Sequence, residues 1–332
     1  MQQEQHALIF DSPTALRIDK LFIRLTDLIP ATVHLKLEGY NIAGSIKLKP
    51  ALQMITALEQ EGILNSNSEL IESSSGNLGT ALAIVSAQRG YRFTCVTDPI
   101  SSKTNRQLIQ AYGGQVLVVQ ERDDYGGFLQ TRLQLIKDML AKNNQLIWLN
   151  QYANKNNYLA HTKTTAPEIL QSFPHVDWLF IGAGTTGTLM GCLQYFRQHS
   201  PITKIVAVDT EGSVTFGAAA KKRHIPGLGT SRKPEISKLT EVPDITIVPE
   251  IETIRICHRY AKQGLLLGGS TGTVLAGLTK YANDIKPNTN VVAIAADLGE
   301  RYLDTIYNPE WIRKHFDASL YHSLYPNAKT YS

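Results

Sequence analysis

Cysteine is scarce in this chain: Cys95, Cys192 and Cys257 are spread over 332 positions. An odd number at such spacing excludes a disulfide framework, offers no Cys/His metal site and suits a reducing compartment. No apolar run is long enough to span a bilayer. The N-terminus has no basic region leading into an apolar core, the mark of a signal peptide. A cytoplasmic protein without a membrane partner is expected. An excess of one charge is missing too, since 33 basic and 29 acidic side chains leave a net +4. Apart from Lys221-Lys222-Arg223, which reads as a solvated loop, the basic residues are dispersed and lack aromatic interleaving, so no nucleic-acid partner is expected. The nine histidines are scattered and leave no Ser-His-Asp constellation. The paired carboxylates Asp123-Asp124 sit in a polar stretch and are expected to face solvent.

What is present is a long alternation of strand and helix patterns. From Glu38 onward, short apolar runs (Leu70 to Glu72, Phe93 to Val96, Val116 to Val119, Leu146 to Leu149) alternate with helical periodicities over 49–62, 78–89, 102–112 and 126–141. That series predicts a parallel sheet covered by helices. The polar passage Asn150 to Asn157 reads as a crossing into a second lobe, with strands at 178–181, 205–208, 245–248 and 291–295. The stretch 211–240 reads as loop, and the polar end 318–332 as mobile or loosely docked. A chain of 332 residues exceeds what one core usually holds, so two α/β lobes are expected, 44–150 and 1–43 with 151–332.

The stretch Leu37 to Lys47 organises the reading. Val33, Leu35 and Leu37 alternate into a Gly/Asn turn, and Ser45 reads as the N-cap of a helix carrying Leu48, Ala51, Leu52 and Ile55. Lys47 then falls in the first helical turn, where the helix dipole disfavours a cation. Such an amine loses its proton more readily and becomes nucleophilic. A surface lysine that merely follows a cap explains the same segment, and the other loops decide between the two. Gly184-Thr185-Thr186-Gly187-Thr188 follows a buried strand and precedes a helix, a combination of close backbone, hydroxyls and amide donors that suits a phosphate. Gly182-x-Gly184-x-x-Gly187 also spells the dinucleotide fingerprint, with Asp209 as its ribose contact. Ser73 to Asn77 offers Ser74, Ser75, Gly76 and backbone amides to a small carboxylate, beyond what one N-cap needs. Ser270, within Gly268 to Gly272, and the triplet Asn150-Gln151-Tyr152 complete the set, and each has an ordinary alternative as a cap or a hinge. One lysine, a phosphate cradle, a carboxylate cradle and two lobes are what pyridoxal phosphate requires, with no metal.

At these residues the chain resembles the fold type II, tryptophan-synthase-β-like pyridoxal-phosphate enzymes, in the cysteine synthase/cystathionine β-synthase group. The matching motifs are Lys36-x-Glu38-x-x-Asn41-x-x-Gly44-Ser45-x-Lys47, Ser74-Ser75-Gly76-Asn77-x-Gly79, the loop 184–188, Gly269-Ser270-x-Gly272 and Asp297-x-Gly299-Glu300-Arg301-Tyr302-Leu303. Asn150 to Asn154, Val208 to Gly217 and Pro226 to Glu235 further resemble the 2,3-diaminopropionate branch, the N-(2-amino-2-carboxyethyl)-L-glutamate synthases, which join O-phospho-L-serine to L-glutamate. The resemblance implies a two-lobed α/β homodimer, each lobe a mostly parallel sheet flanked by helices. It implies Lys47 as the Schiff-base lysine and proton carrier, and Asn77 beside the ring hydroxyl. Gly184, Thr185, Thr186, Gly187 and Thr188 would hold the phosphate, and Ser270 the pyridine nitrogen. Ser74, Ser75, Gly76, Asn77 and Gln151 would meet the substrate carboxylate. Tyr152, Ser231 and Arg232 are candidates for a leaving phosphate or the glutamate carboxylates, with a loop salt bridge as the alternative for Arg232. The chain departs from the family pattern at Ile42, where proline is usual, at Leu48 and Lys49 after the lysine, and at Pro13-Thr14-Ala15-Leu16 near the start. A cysteine synthase acting on O-acetylserine or O-phosphoserine is the alternative function.

Overall fold

The computed structural model describes residues 9–123 and 126–326. Ten strands form two sheets: β1 (Phe22–Leu25), β2 (Val33–Leu37), β3 (Glu69–Ser73), β4 (Arg92–Thr97), β5 (Gln115–Val118), β6 (Leu146–Trp148), β7 (Trp178–Gly182), β8 (Lys204–Thr210), β9 (Asp244–Val248) and β10 (Val291–Ala295). The larger sheet runs β1-β2-β10-β7-β8-β9 and the smaller runs β5-β4-β3-β6. Every pairing is parallel except β1 with β2. The fold is α/β, as the alternating pattern predicts.

The strands are near-continuous apolar runs because both faces of each sheet are covered. In the larger sheet Phe180, Val291 and Ala293 pack into one core, while their neighbours Leu179, Ile181, Val292 and Ile294 pack into the core on the opposite face. In the smaller sheet Leu70 and Cys95 face one core, and Ile71 and Val96 face another. The helix Leu48–Gln60 buries Leu48, Ala51, Met54 and Ile55, a helical stripe laid against the smaller sheet's core.

Three features differ from the sequence reading. The polar passage at 150–157 contains the start of a helix, Lys155–Lys163, capped by the Asn154 side chain, which accepts from Asn156 N. Its buried face is polar (Asn156, Asn157, His161), so a search for apolar periodicity passes over it. The end is not loosely docked over its described part: Asp317 caps a helix, Ala318–Leu324, whose Leu320 and Leu324 are buried in the main core. Residues 327–332 of that stretch, and Asp124 of the carboxylate pair, lie outside the described residues. Finally, Ser45 is not an N-cap. The helix begins at Leu48, Lys47 itself is the capping position without a side-chain bond, and the buried Ser45 hydroxyl has no partner. Ser45 instead bridges to Asp297 through the backbone. Among the described residues, no helix is long and apolar enough to cross a membrane and no acidic, histidine or cysteine group could hold a metal.

Candidate active site

Parallel sheets present ligands at the carboxyl ends of their strands. At the ends of β7 and β10 the loops open around a narrow cleft. Its walls bring together Lys47, the whole loop Gly184 to Thr188, and Ser270, contributed by three distant parts of the chain. Ile181, Leu228, Val274 and Ile294 supply an apolar lining.

The loop is built to take an anion. Thr186 holds a left-handed backbone (φ 66°), a strained state for a β-branched residue, and its hydroxyl is buried without a partner. The helix Gly187–His199 starts at Thr186 with no side-chain cap, so its first amides remain available to a ligand. Gly187 is required by close approach, because a Cβ there would lie 2.2 Å from Asn157 Oδ1. Asn157 in turn donates to Gln151 O (2.7 Å) and to Thr185 Oγ1 (3.2 Å), tying the loop to the Asn150–Tyr152 segment. That tie was invisible in the sequence, where Asn157 looked like one more linker residue.

The Lys47 amine has neither a hydrogen bond nor a salt bridge among the described residues. Burial pulls its amine down to about 8, with the Asp297 carboxylate opposing. The helix-start reading of Lys47 stands in altered form: it precedes the first helical residue, and burial rather than the dipole is the main cause. Asp297 was quoted only as part of a motif, yet it is the hub of the site. Its Oδ2 accepts from Asn77 Nδ2 (2.6 Å) and Tyr302 Oη (2.7 Å), and its Oδ1 is buried without a partner. Burial raises its pKa against the pull of Tyr302, Asn77, Arg301 and Ser270. Asn77 is held at both ends, since Arg301 donates to its Oδ1 at 2.5 Å. Arg301 also reaches Ala43 O, joining the segment before Lys47 to the loop after β10.

The other expected residues divide. Ser74 does what an ordinary cap does, its Oγ accepting from Gly79 N (3.0 Å) and Gly76 N (3.3 Å). Ser75 and Gly76 are half-buried at the start of the helix Asn77–Arg89, which has no side-chain bond from its N-cap residue Gly76. Gln151 is buried, its amide donating to Ser73 O (2.9 Å) while its backbone N–H reaches Glu72 Oε2 (3.1 Å). Burial pushes Glu72 up to about 7, against the backbone donors Ser73 and Gln151. Tyr152 is buried among Leu129 and Leu133, and burial raises its phenol while Arg132, Arg223 and Arg232 act in the opposite sense. Ser231 and Arg232 do not line the cleft. Ser231 accepts from Arg223 (3.0 Å), and Arg232 pairs with Glu235 at 2.7 Å, the loop salt bridge that was its alternative. Ser270 is not a cap either: Gly268 takes that position, and Ser270 sits in the first turn facing the cleft. Gly268-x-Ser270-x-Gly272 does spell the nucleophile-elbow string, which the sequence reading passed over. Among the described residues no histidine bonds to Ser270, and it lies inside a regular helix rather than on a strained turn.

A family model described as "Pyridoxal-phosphate dependent enzyme" matches residues 16–297. The chain belongs to this family. Its cofactor is pyridoxal phosphate, and the dinucleotide reading of Gly182-x-Gly184-x-x-Gly187 with Asp209 is thereby set aside. Asp209 is buried at the end of β8 and accepts from Thr210 N (2.8 Å). Solved structures agree. An O-ureido-L-serine synthase is 30% identical over 94% of this chain and 97% of that one, with a TM-score of 0.84. A hydrogen sulfide-producing enzyme from Fusobacterium nucleatum is 27% identical over 89% of this chain and 100% of that one, with a TM-score of 0.82. An O-acetylserine-dependent cystathionine β-synthase from Helicobacter pylori, 24% identical over 91% of this chain and 100% of that one, shares the fold at a TM-score of 0.84. The chain is a pyridoxal-phosphate-dependent synthase of the β-replacement, cysteine-synthase-like group. The residues present fit the cofactor. An unpaired buried amine would suit an aldehyde, an uncapped helix start with an orphaned hydroxyl would suit a phosphate, and Ser270 shares the cleft with both.

Proposed function

We propose that this enzyme performs β-replacement on O-phospho-L-serine with L-glutamate as the nucleophile, releasing phosphate and giving N-(2-amino-2-carboxyethyl)-L-glutamate, a step toward 2,3-diaminopropionate. The observation that favours a phosphate leaving group is the setting of Tyr152. Arg132, Arg223 and Arg232 act electrostatically on this one buried phenol, opposed by Glu72; Arg132 faces Asp98 at 3.5 Å and Arg232 pairs with Glu235 at 2.7 Å. A net basic surround favours an anionic leaving group over the neutral acetyl group of O-acetylserine. Arg132 comes from the helix Leu129–Lys142, whereas Arg223 braces the loop that lines the cleft by donating to Leu228 O (2.9 Å). Arg132 drew no notice in the sequence, being a single basic residue without a local motif, and Arg223 stood in Lys221-Lys222-Arg223, which read as a solvated loop.

Bound pyridoxal phosphate supplies an aldehyde for amine exchange and an electron-accepting ring. Lys47 would be the amine that holds the aldehyde, and its free Nζ would take the substrate's α-proton and later return it to Cα. An amine held near 8 has a useful neutral fraction at ordinary pH, which an amine near 10.5 lacks. Ser75, Gly76 and the first amides of the helix Asn77–Arg89 receive the substrate carboxylate, with Gln151 beside them. Ser270 would hold the ring nitrogen, and Asn77, which here donates to Asp297, would hold the ring hydroxyl. We carry forward 44–150 as a smaller mobile lobe that closes over the substrate and keeps water out, and a homodimer as the working assembly.

The test is product identification by mass spectrometry, with each donor (O-phosphoserine, O-acetylserine) offered to each nucleophile (glutamate, sulfide). Phosphate release with glutamate addition supports the proposal. Acetate release with cysteine formation overturns it in favour of a cysteine synthase. Lys47→Ala is expected to lose the visible absorption of the loaded enzyme and about 10²–10⁴-fold or more of its turnover.

A further inference from the structure

Behind the phosphate loop lies a buried cluster that the reaction does not use. Lys36 and Lys49 face Glu38 and Glu168: Lys36 Nζ lies 3.0 Å from Glu38 and 2.8 Å from Glu168, and Lys49 Nζ lies 2.9 Å from Glu38 and 2.7 Å from Glu168. All four side chains are buried. An ammonium has three protons. For Lys49, one goes to Glu38, one to Glu168 and the third to Thr165 Oγ1 at 3.3 Å. Thr165 Oγ1 is 3.0 Å from His161 Nδ1, and His161 Nε2 is 3.3 Å from Thr188 Oγ1 in the phosphate loop.

The direction of this chain follows from counting protons. Lys49 can only donate, so the Thr165 hydroxyl accepts there; among the described residues its own proton then has one acceptor in reach, His161 Nδ1, and would otherwise be buried unpaired. A neutral His161 with Nδ1 as acceptor carries its hydrogen on Nε2. Nε2–H then donates to Thr188 Oγ1, and the Thr188 proton is left pointing into the cleft. We propose that Lys49, Thr165 and His161 are positioning residues that fix the His161 Nε2–H tautomer and set the Thr188 hydroxyl as a donor to the cofactor phosphate. Burial and the surrounding lysine ammoniums hold His161 down to about 3, so it stays neutral wherever the enzyme works. The sequence stretches involved are separate (49, 161–165, 188), which is why no motif announces them.

The inference rests on the loop 184–188 being the phosphate site, and the test separates the two ideas. In ¹⁵N-histidine-labelled wild-type enzyme loaded with pyridoxal phosphate, the His161 signal is assigned by its loss in His161→Gln. Its nitrogen shifts are expected to be those of the Nε2–H tautomer; the Nδ1–H tautomer overturns the proposal. Reconstitution of apo-enzyme is then titrated with pyridoxal phosphate. Thr165→Val is expected to bind it roughly tenfold more weakly, and Thr165→Ser within about twofold of wild type. Thr188→Ala is expected to weaken it to a similar extent. If Thr188→Ala weakens binding and Thr165→Val does not, the relay fails and the cradle stands. If Thr188→Ala binds as tightly as wild type, the relay fails together with the assignment of Thr188 to the cradle.

Discussion

Two lysines two positions apart are treated in opposite ways. Lys49 gives each of its protons to an acceptor and sits in a cluster of two cations and two carboxylates, where burial would raise Glu38 but Lys49 and Lys36 hold it down to about 2. Lys47 faces the cleft with no partner bonded to its amine, and burial strips its proton early. The backbone direction explains the split: Lys47 precedes the helix Leu48–Gln60 and turns toward β7 and β10, whereas Lys49 lies within the helix and turns toward β2 and the helix Thr165–Ser172. One charge is neutralised within a buried cluster; the other is left unpaired beside the cleft.

The comparison is broken most severely by removing the paired lysine. Lys49→Met leaves Glu38 and Glu168 with only Lys36 between them, and an uncompensated buried charge costs about 3–5 kcal/mol. Urea denaturation at neutral pH is expected to show that loss, and Lys49→Met combined with Glu168→Leu is expected to recover much of it. The unpaired lysine is expected to answer with the opposite sign. Because the folded amine is held near 8, below its ordinary 10.5, the folded apo-protein binds fewer protons than the unfolded chain between those values. Its stability therefore rises with pH across that window, and the full penalty, about 3 kcal/mol at most, is present below it. Apo Lys47→Met is expected to be more stable than wild type at pH 7, with the advantage fading as pH rises from about 8 to 10.5. A variant less stable than wild type at pH 7 would show that the amine has a partner after all.

A smaller effect probes the wall opposite Lys47. Gly187→Ala drives a Cβ into Asn157 Oδ1, whose amide ties Thr185 to Gln151. An overpacked contact of this kind costs about 1–3 kcal/mol, and weaker cofactor uptake is expected alongside it; unchanged uptake would detach Asn157 from the cradle. This site also shows what a sequence can reveal. The loops at 73–77 and 184–188 stood out because hydroxyl and glycine residues crowd before a helix, a local signal of fixed spacing. The sheets were legible because parallel strands are buried on both faces and therefore read as short apolar runs. Asn157, His161 and Arg132 were not, because a polar residue on a buried helix face looks like linker until the opposing element is placed against it. Ser45 failed for a related reason: serine before a helical pattern suggests a cap, but a backbone bridge to Asp297 fixed that residue first.

The finest test concerns the carboxylate that opposes the loss of the Lys47 proton. Asp297 is the charge that raises the Lys47 amine against burial, so Asp297→Asn is expected to lower it further. The side chain keeps an oxygen for the Tyr302 hydroxyl, which at present donates to Asp297 Oδ2, so the geometry of the loop has a route to survive. Capture of pyridoxal phosphate by apo-enzyme needs the neutral amine, and its rate should climb with pH to a midpoint near 8 in wild type. In Asp297→Asn that midpoint is expected roughly half to one pH unit lower, the size of one nearby charge in a partly screened site. Comparing variant with wild type cancels the cofactor's own titrations. A midpoint that stays in place would mean that Asp297 serves Asn77 and Tyr302 alone, and that burial by itself accounts for the reactive lysine.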